Sequence, residues 1–99
     1  MADKEYSDSF TIVKSHEGMV RVVSNKLSMK ILDMLSSAPL SLTDMANRIE
    51  LPKTTVQSNL SVLEFEGLVK SYPSMADGRS MMYDRTCDQL YETREIDWD

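Results

Sequence analysis

Apolar residues at Leu27, Ile31, Met34 and Leu35 recur at a spacing that lines one face of a helix. Asn25, just ahead of them, offers a side-chain oxygen to the free amides of the first turn, and Ala38-Pro39 supplies a stop. Ser41 is placed to cap a second helix ending near Ile49, with Asp44 as its capping-box partner and a favourable charge at the positive helix end. Pro52, with its φ already fixed, opens a third helix at or near its first position. Val56, Leu60 and Leu63 share one side of that helix, and Thr54, Gln57, Ser58 and Ser61 share the other. Gly67 ends it. Residues 68–72 and 80–85 then read as two strands, with Asp77-Gly78 as the turn signal between them.

The two ends carry weaker patterns. Residues 1–9 hold charges and no hydrophobic period, so a frayed arm is expected. The apolar residues from Phe10 to Val23 are rich in β-branched types and are interrupted by Ser15-His16-Glu17-Gly18, which suggests a short lead-in and then a helix over 17–24. The stretch 86–99 is expected to form one helix through Leu90 and Tyr91 before an acidic end that includes Trp98. With 99 residues the chain has room for one domain and one modest core. The organisation expected is a flexible arm over 1–15, a compact domain over 16–86, and a C-terminal helix with acidic tail over 87–99. That last segment would serve as a dimerisation element or as the start of a further domain.

Helix, tight turn, helix and hairpin in this order is the winged helix-turn-helix plan, in which the second helix of the pair enters the major groove. The expected fold is therefore mainly α with a small β-hairpin. The outward side of the third helix is nearly free of charge, whereas a merely solvated helix usually carries many Lys and Glu. Its short hydrogen-bonding side chains suit a surface that touches something.

The stretch SLTDMANRIELPKTTVQSNLSVLEFEGLVKS, residues 41–71, resembles the ArsR-like (arsenic-repressor-type) family from capped helix through recognition helix to the start of the wing. SNKLSMKILDML upstream is similar to the family's preceding core helix, and ADGRSMMYDRT downstream to its wing. The resemblance implies a sequence-specific DNA-binding transcription regulator, a repressor, pairing as a homodimer through its two ends. By it, Lys53, Thr54, Thr55, Gln57, Ser58 and Asn59 would face double-stranded DNA, and Arg79 in the wing would meet the backbone or minor groove. The chemistry agrees: glutamine pairs bidentately with adenine, hydroxyls meet base edges or phosphates, and a threonine methyl packs on the thymine methyl. The amides that open the helix at Ser41 would hold another phosphate. The competing expectation is a winged-helix module used for protein contacts, because fold alone does not assign function. The chain departs from the family pattern at Glu50, where glycine is usual, at Pro52, where a serine cap is frequent, at Ser28, where arginine is frequent, and at Phe65, normally polar.

Charge changes the picture less than the total suggests. The net charge of −5 opposes nucleic acid binding. Yet residues 21–85 carry eight Lys/Arg against seven Asp/Glu, while residues 1–20 carry two against four and residues 86–99 one against five. The excess acid lies in the ends. No long apolar run or signal-peptide core occurs, so a cytoplasmic location without membrane contact is expected. Cys87 is alone and reads as a half-buried small side chain; the eight methionines read as core fillers. The family's cysteine pair is missing from 41–49 and His16 has no second ligand at metal spacing, so neither metal nor other cofactor is expected, and the effector is unassigned. One histidine and scattered acids assemble no catalytic set, and the chain reads as a non-enzyme.

Overall fold

The computed structural model describes residues 10–76 and 78–92. Along them run β1 (Thr11–Ser15), β2 (Val20–Val23), α1 (Lys26–Met34), β3 (Leu40–Ser41), α2 (Leu42–Ile49), α3 (Lys53–Phe65), β4 (Val69–Pro73), β5 (Met81–Arg85) and β6 (Cys87–Glu92).

The three helices begin where their caps stand. Asn25 Oδ1 accepts from the Ser28 amide at 3.0 Å, and Ser41 Oγ accepts from the Asp44 amide at 3.1 Å. Pro52 occupies the cap position of α3, extended at φ −62° and ψ 148°, and contributes no side-chain hydrogen bond. The turn between α2 and α3 closes through Glu50, whose φ of 65° lies in the left-handed region. Its amide reaches back to the Ala46 carbonyl at 2.7 Å. This is the helix-ending geometry that glycine adopts most easily, so the turn keeps the usual shape on an unfavourable residue. Gly67, at φ 78°, releases the chain from α3 into β4.

Two three-stranded antiparallel sheets flank the helices, in the orders β2-β1-β6 and β3-β5-β4. The second holds the expected hairpin, with Val69 opposite Arg85 and Pro73 opposite Met81. The short β3 joins it to the start of α2, pairing Leu40 with Tyr83. Thr86 links the two sheets: its amide donates to the Leu68 carbonyl at 2.9 Å, its own carbonyl accepts from the His16 amide at 3.0 Å, and its hydroxyl donates to the Gly67 carbonyl at 3.0 Å.

The first sheet corrects the expectations for both ends. Residues 17–24 form no helix: His16 to Met19 make the turn of a β-hairpin, with Gly18 at φ 97°, and β2 follows. The β-branched residues on either side prefer the extended chain, and the glycine allows the reversal. Residues 87–92 likewise form strand β6 rather than a helix, because β1 has a second edge to offer and β6 pairs along it from Ser15–Cys87 onward. Residues 11–15, expected within a flexible arm, are the central strand of this sheet. The fold is thus not mainly α; strands and helices share it. Residues 1–9 and 93–99, with the expected arm and acidic end, and Asp77 of the expected turn, lie outside the described residues.

One core fills the space between helices and sheets. Ile31 from α1, Met45 from α2, Val56, Leu60 and Leu63 from α3, Leu68, Val69 and Val13 are buried to 2% exposure or less. Arg85 ties the pieces together, donating through Nε to the Cys87 carbonyl at 3.1 Å and through a terminal nitrogen to the Leu32 carbonyl at 3.3 Å. The last turn of α1 contains no basic residue, so Arg85 brings a cation to a helix end whose carbonyls lack intrahelical donors. Cys87 is fully buried rather than half-buried. Burial pushes its thiol pKa up, Arg85 opposes that, and Asp88 adds to it.

Candidate nucleic-acid interface

Helix α3 divides by side. Val56, Leu60 and Leu63 point into the core, while Lys53, Thr54, Thr55, Gln57, Ser58 and Ser61 are exposed. At 100° per residue, Thr54, Ser58, Ser61 and Phe65 fall along one outward line, opposite the core side. That line holds two hydroxyl types in succession and ends on Phe65, 90% exposed. Lys53 stands at the amino end, next to the free amides of the first turn.

Asn59 departs from this group. It is half-buried, and its amide nitrogen donates to Ser28 Oγ at 2.6 Å, so it joins α3 to α1 instead of facing outward with its neighbours. Ser28, where the ArsR-like pattern favours arginine, is itself buried and serves as the acceptor.

The hairpin stands beside α3. Ser71 Oγ donates to Glu64 Oε2 at 2.9 Å, joining β4 to the helix. Between α3, the start of α2 and β5 lies an open notch of about 200 Å³, lined by Ser41, Leu42, Thr43, Gln57, Ser80, Met81 and Tyr83. Gln57 therefore lies on the side of α3 that faces the β4-β5 hairpin, not in the middle of the outward line. Tyr83 is buried at the base, its phenol pKa pushed up by burial and, less, by the Glu64 carboxylate. At the wing tip the Ser74 amide donates to the Ser80 carbonyl at 2.8 Å, and the Gly78 amide to the Ser74 carbonyl at 2.8 Å. Arg79 is exposed on this tip. The structure thus gathers Lys53, Thr54, Thr55, Gln57 and Ser58 on one helix, puts Arg79 on the neighbouring wing, and turns Asn59 inward. Thr43 and Ser80, which line the notch with Gln57, were not singled out in the sequence; a capped helix start and a strand start were their only signals.

The pattern of the helix-turn-helix domain family runs through residues 23–72, half of the chain. The chain belongs to that family. Around this helix-turn-helix unit, solved structures show the same fold. The transcriptional regulator BldR from Sulfolobus solfataricus is 27% identical, with a TM-score of 0.62 over 63% of this chain and 45% of its own. HlyU from Vibrio cholerae is 26% identical, with a TM-score of 0.57 over 63% of this chain and 64% of its own. The adhesin competence repressor AdcR from Streptococcus pyogenes, 21% identical, shares the fold at a TM-score of 0.61 over 63% of this chain and 46% of its own. The helix-turn-helix chain thus spans less than two thirds of each of these proteins. The sequence finds no match among curated proteins.

Proposed function

We propose that the chain is a sequence-specific DNA-binding transcription regulator of the ArsR-like kind, a repressor that works as a cytoplasmic homodimer. Helix α3 lies in the major groove. Thr54, Thr55, Gln57 and Ser58 meet base edges, Lys53 meets phosphate at the groove wall, and Arg79 reaches the backbone or minor groove from the wing. Asn59 holds the helix at its proper roll and makes no DNA contact of its own. The compact domain spans 16–86 together with the β1 strand before it and β6 after it.

One observation carries this reading: the outward side of α3 is exposed, built of short hydrogen-bonding side chains, and held by a buried row on the opposite side. A major groove about 12 Å wide admits such a helix, and short side chains let it approach the base edges closely. The fold likeness to BldR, a transcriptional regulator, supports the same assignment.

Electrophoretic mobility shifts with fragments flanking the protein's own coding region test it. Gln57→Ala is expected to blunt the preference among fragments, and Lys53→Ala to weaken all of them alike and flatten the salt dependence. Retained preference in Gln57→Ala, or no shift with any fragment, contradicts the proposal.

A single observation favours the second reading, a winged-helix module that docks on protein: Phe65, 90% exposed, ends the same outward line, with Val62, 54% exposed, beside it. Under that reading duplex binding stays weak for every sequence, and Phe65→Ser abolishes capture of a protein partner.

A further inference from the structure

We infer that the groove between α1 and the α2–α3 turn is the docking site of the chain's own acidic segment, residues 95–99. Docking there does not depend on DNA reading.

Lys26 and Lys30 stand one turn apart on α1, which sets them on the same side of that helix. With Leu27, and with Ile49 at the end of α2 and Leu51 in the turn after it, they line an open groove of about 280 Å³. Leu27 and Ile49 are half-buried against the core, and Leu51 is 39% exposed. The groove thus combines an apolar floor with two ammonium groups on its α1 wall, and no carboxylate lines it. Lysine stems lie along apolar surface while their charged ends stay in water, so the site offers apolar contact and positive charge together. Sites that enclose a small molecule usually measure about 300–1,000 Å³. This groove is smaller and open, which suits a few side chains carried on a chain.

Charge, apolar pattern and reach select the occupant. In Glu95-Ile96-Asp97-Trp98-Asp99 three acids alternate with two large apolar residues, the complement of two lysines beside an apolar floor. These residues lie outside the described part of the chain, but the strand from which they extend lies within it. Strand β6 brings Glu92 opposite Thr11, and Thr11 stands opposite Val23, three residues before Lys26. At about 4.8 Å between neighbouring strands, Glu92 is roughly 10 Å from Val23, and Lys26 is at most about 11 Å further on. The stretch from Glu92 to Trp98 spans up to about 20 Å, and the lysine and tryptophan side chains cover the remainder. Ile96 and Trp98 then fill the floor beside Leu27, Ile49 and Leu51, and Asp97 and Asp99 meet Lys26 and Lys30. A nucleic-acid backbone would use the two lysines and leave that floor uncovered.

Trp98 is the chain's only tryptophan, so intrinsic fluorescence of the full chain reports on this segment directly. A tryptophan seated in the groove loses much of its contact with water, and uncharged acrylamide is expected to quench it about threefold less in the native protein than in urea. The protection is expected to stay constant on dilution. Lys26→Glu combined with Lys30→Glu, both at exposed positions, is expected to remove the protection with circular dichroism unchanged. Adding Asp97→Lys and Asp99→Lys to that variant is expected to restore it, since each pair is rebuilt with its signs exchanged. A tryptophan as open to acrylamide in the native wild type as in urea overturns the inference. So does protection that ignores the lysine replacements, that the exchanged charges fail to restore, or that fades on dilution, the last meaning that the segment occupies the groove of a second copy.

Discussion

Replacing Asn59 by alanine separates a residue that positions α3 from one that reads DNA. The Asn59 amide donates to Ser28 Oγ at 2.6 Å, and Ser28 is only 7% exposed. Truncation removes the bond and leaves the serine hydroxyl enclosed between α1 and α3. A typical internal hydrogen bond contributes about 0.5–1.5 kcal/mol, and an abandoned buried polar group costs about 1–3 kcal/mol. Ser28 has a partial escape, because a serine inside a helix can turn its hydroxyl to the carbonyl one turn earlier. The net loss is therefore about 1–2 kcal/mol. A domain of this size shifts its Tm by roughly 4–8 °C per kcal/mol, so thermal unfolding followed by circular dichroism should show a fall of about 5–15 °C. Ser28→Ala is expected to cost less, since it removes the buried hydroxyl along with the bond. The double variant is expected to show a coupling of about 1 kcal/mol. Well below the transition, Asn59→Ala should keep its preference among duplexes. An unchanged Tm together with lost preference would mean that this side chain faces DNA, and the roll assigned to α3 would be wrong.

Other expectations follow from the same packing. Glu50→Gly is expected to stabilise the protein by about 0.5–1 kcal/mol in urea unfolding, since a residue with φ of 65° is relieved of its strain; a loss of stability would contradict the turn geometry. Arg85→Gln should lower stability by about 1–2 kcal/mol by leaving the Leu32 and Cys87 carbonyls without their shared cation; an unchanged urea midpoint would refute that. Alkaline pH gives a signed test. The pKa values of Cys87 and Tyr83 are raised in the folded state, so the unfolded chain gives up these protons first. Stability is then fully present below the ordinary thiol pKa of about 8.5 and declines as pH climbs past it, with Tyr83 adding to the decline above about 10. Stability that rises across this range, or a Cys87 that alkylates in the native protein as fast as in the unfolded chain, would contradict its burial.

The helix-turn-helix unit and its wing were legible because their signals are local. Asn25 and Ser41 cap helices within three residues of themselves, Gly67 ends α3 on its own backbone freedom, and Val56, Leu60 and Leu63 repeat at helical spacing. The β2-β1-β6 sheet was not legible, because the pairing of Ser15 with Cys87 joins residues far apart in the chain, and strand preference depends on such neighbours more than on composition. Strand β2 hides itself further by pointing Val20 and Val22 outward, with only Val23 turned to the core. Within the candidate site, the outward residues of α3 followed from its period. Asn59 did not, since its place beside the core side shows only once α1 is packed against it. Arg85 gave no local hint at all: its acceptor Leu32 lies 53 positions away.

The central claim is that the exposed side of α3 reads base sequence. Fluorescence anisotropy with a duplex selected by the protein from a random library, and with its shuffled counterpart, measures this over a salt series. The selected duplex is expected to bind about 10³-fold or more tighter than the shuffled one. Under the proposed contacts, with Lys53 and a backbone-bound Arg79 from each of two chains on phosphate, four phosphates would be neutralised, so log Kd against log salt should have a slope near 3.6 in magnitude. Equal, weak binding to both duplexes, or a library that yields no enriched sequence, would contradict the account.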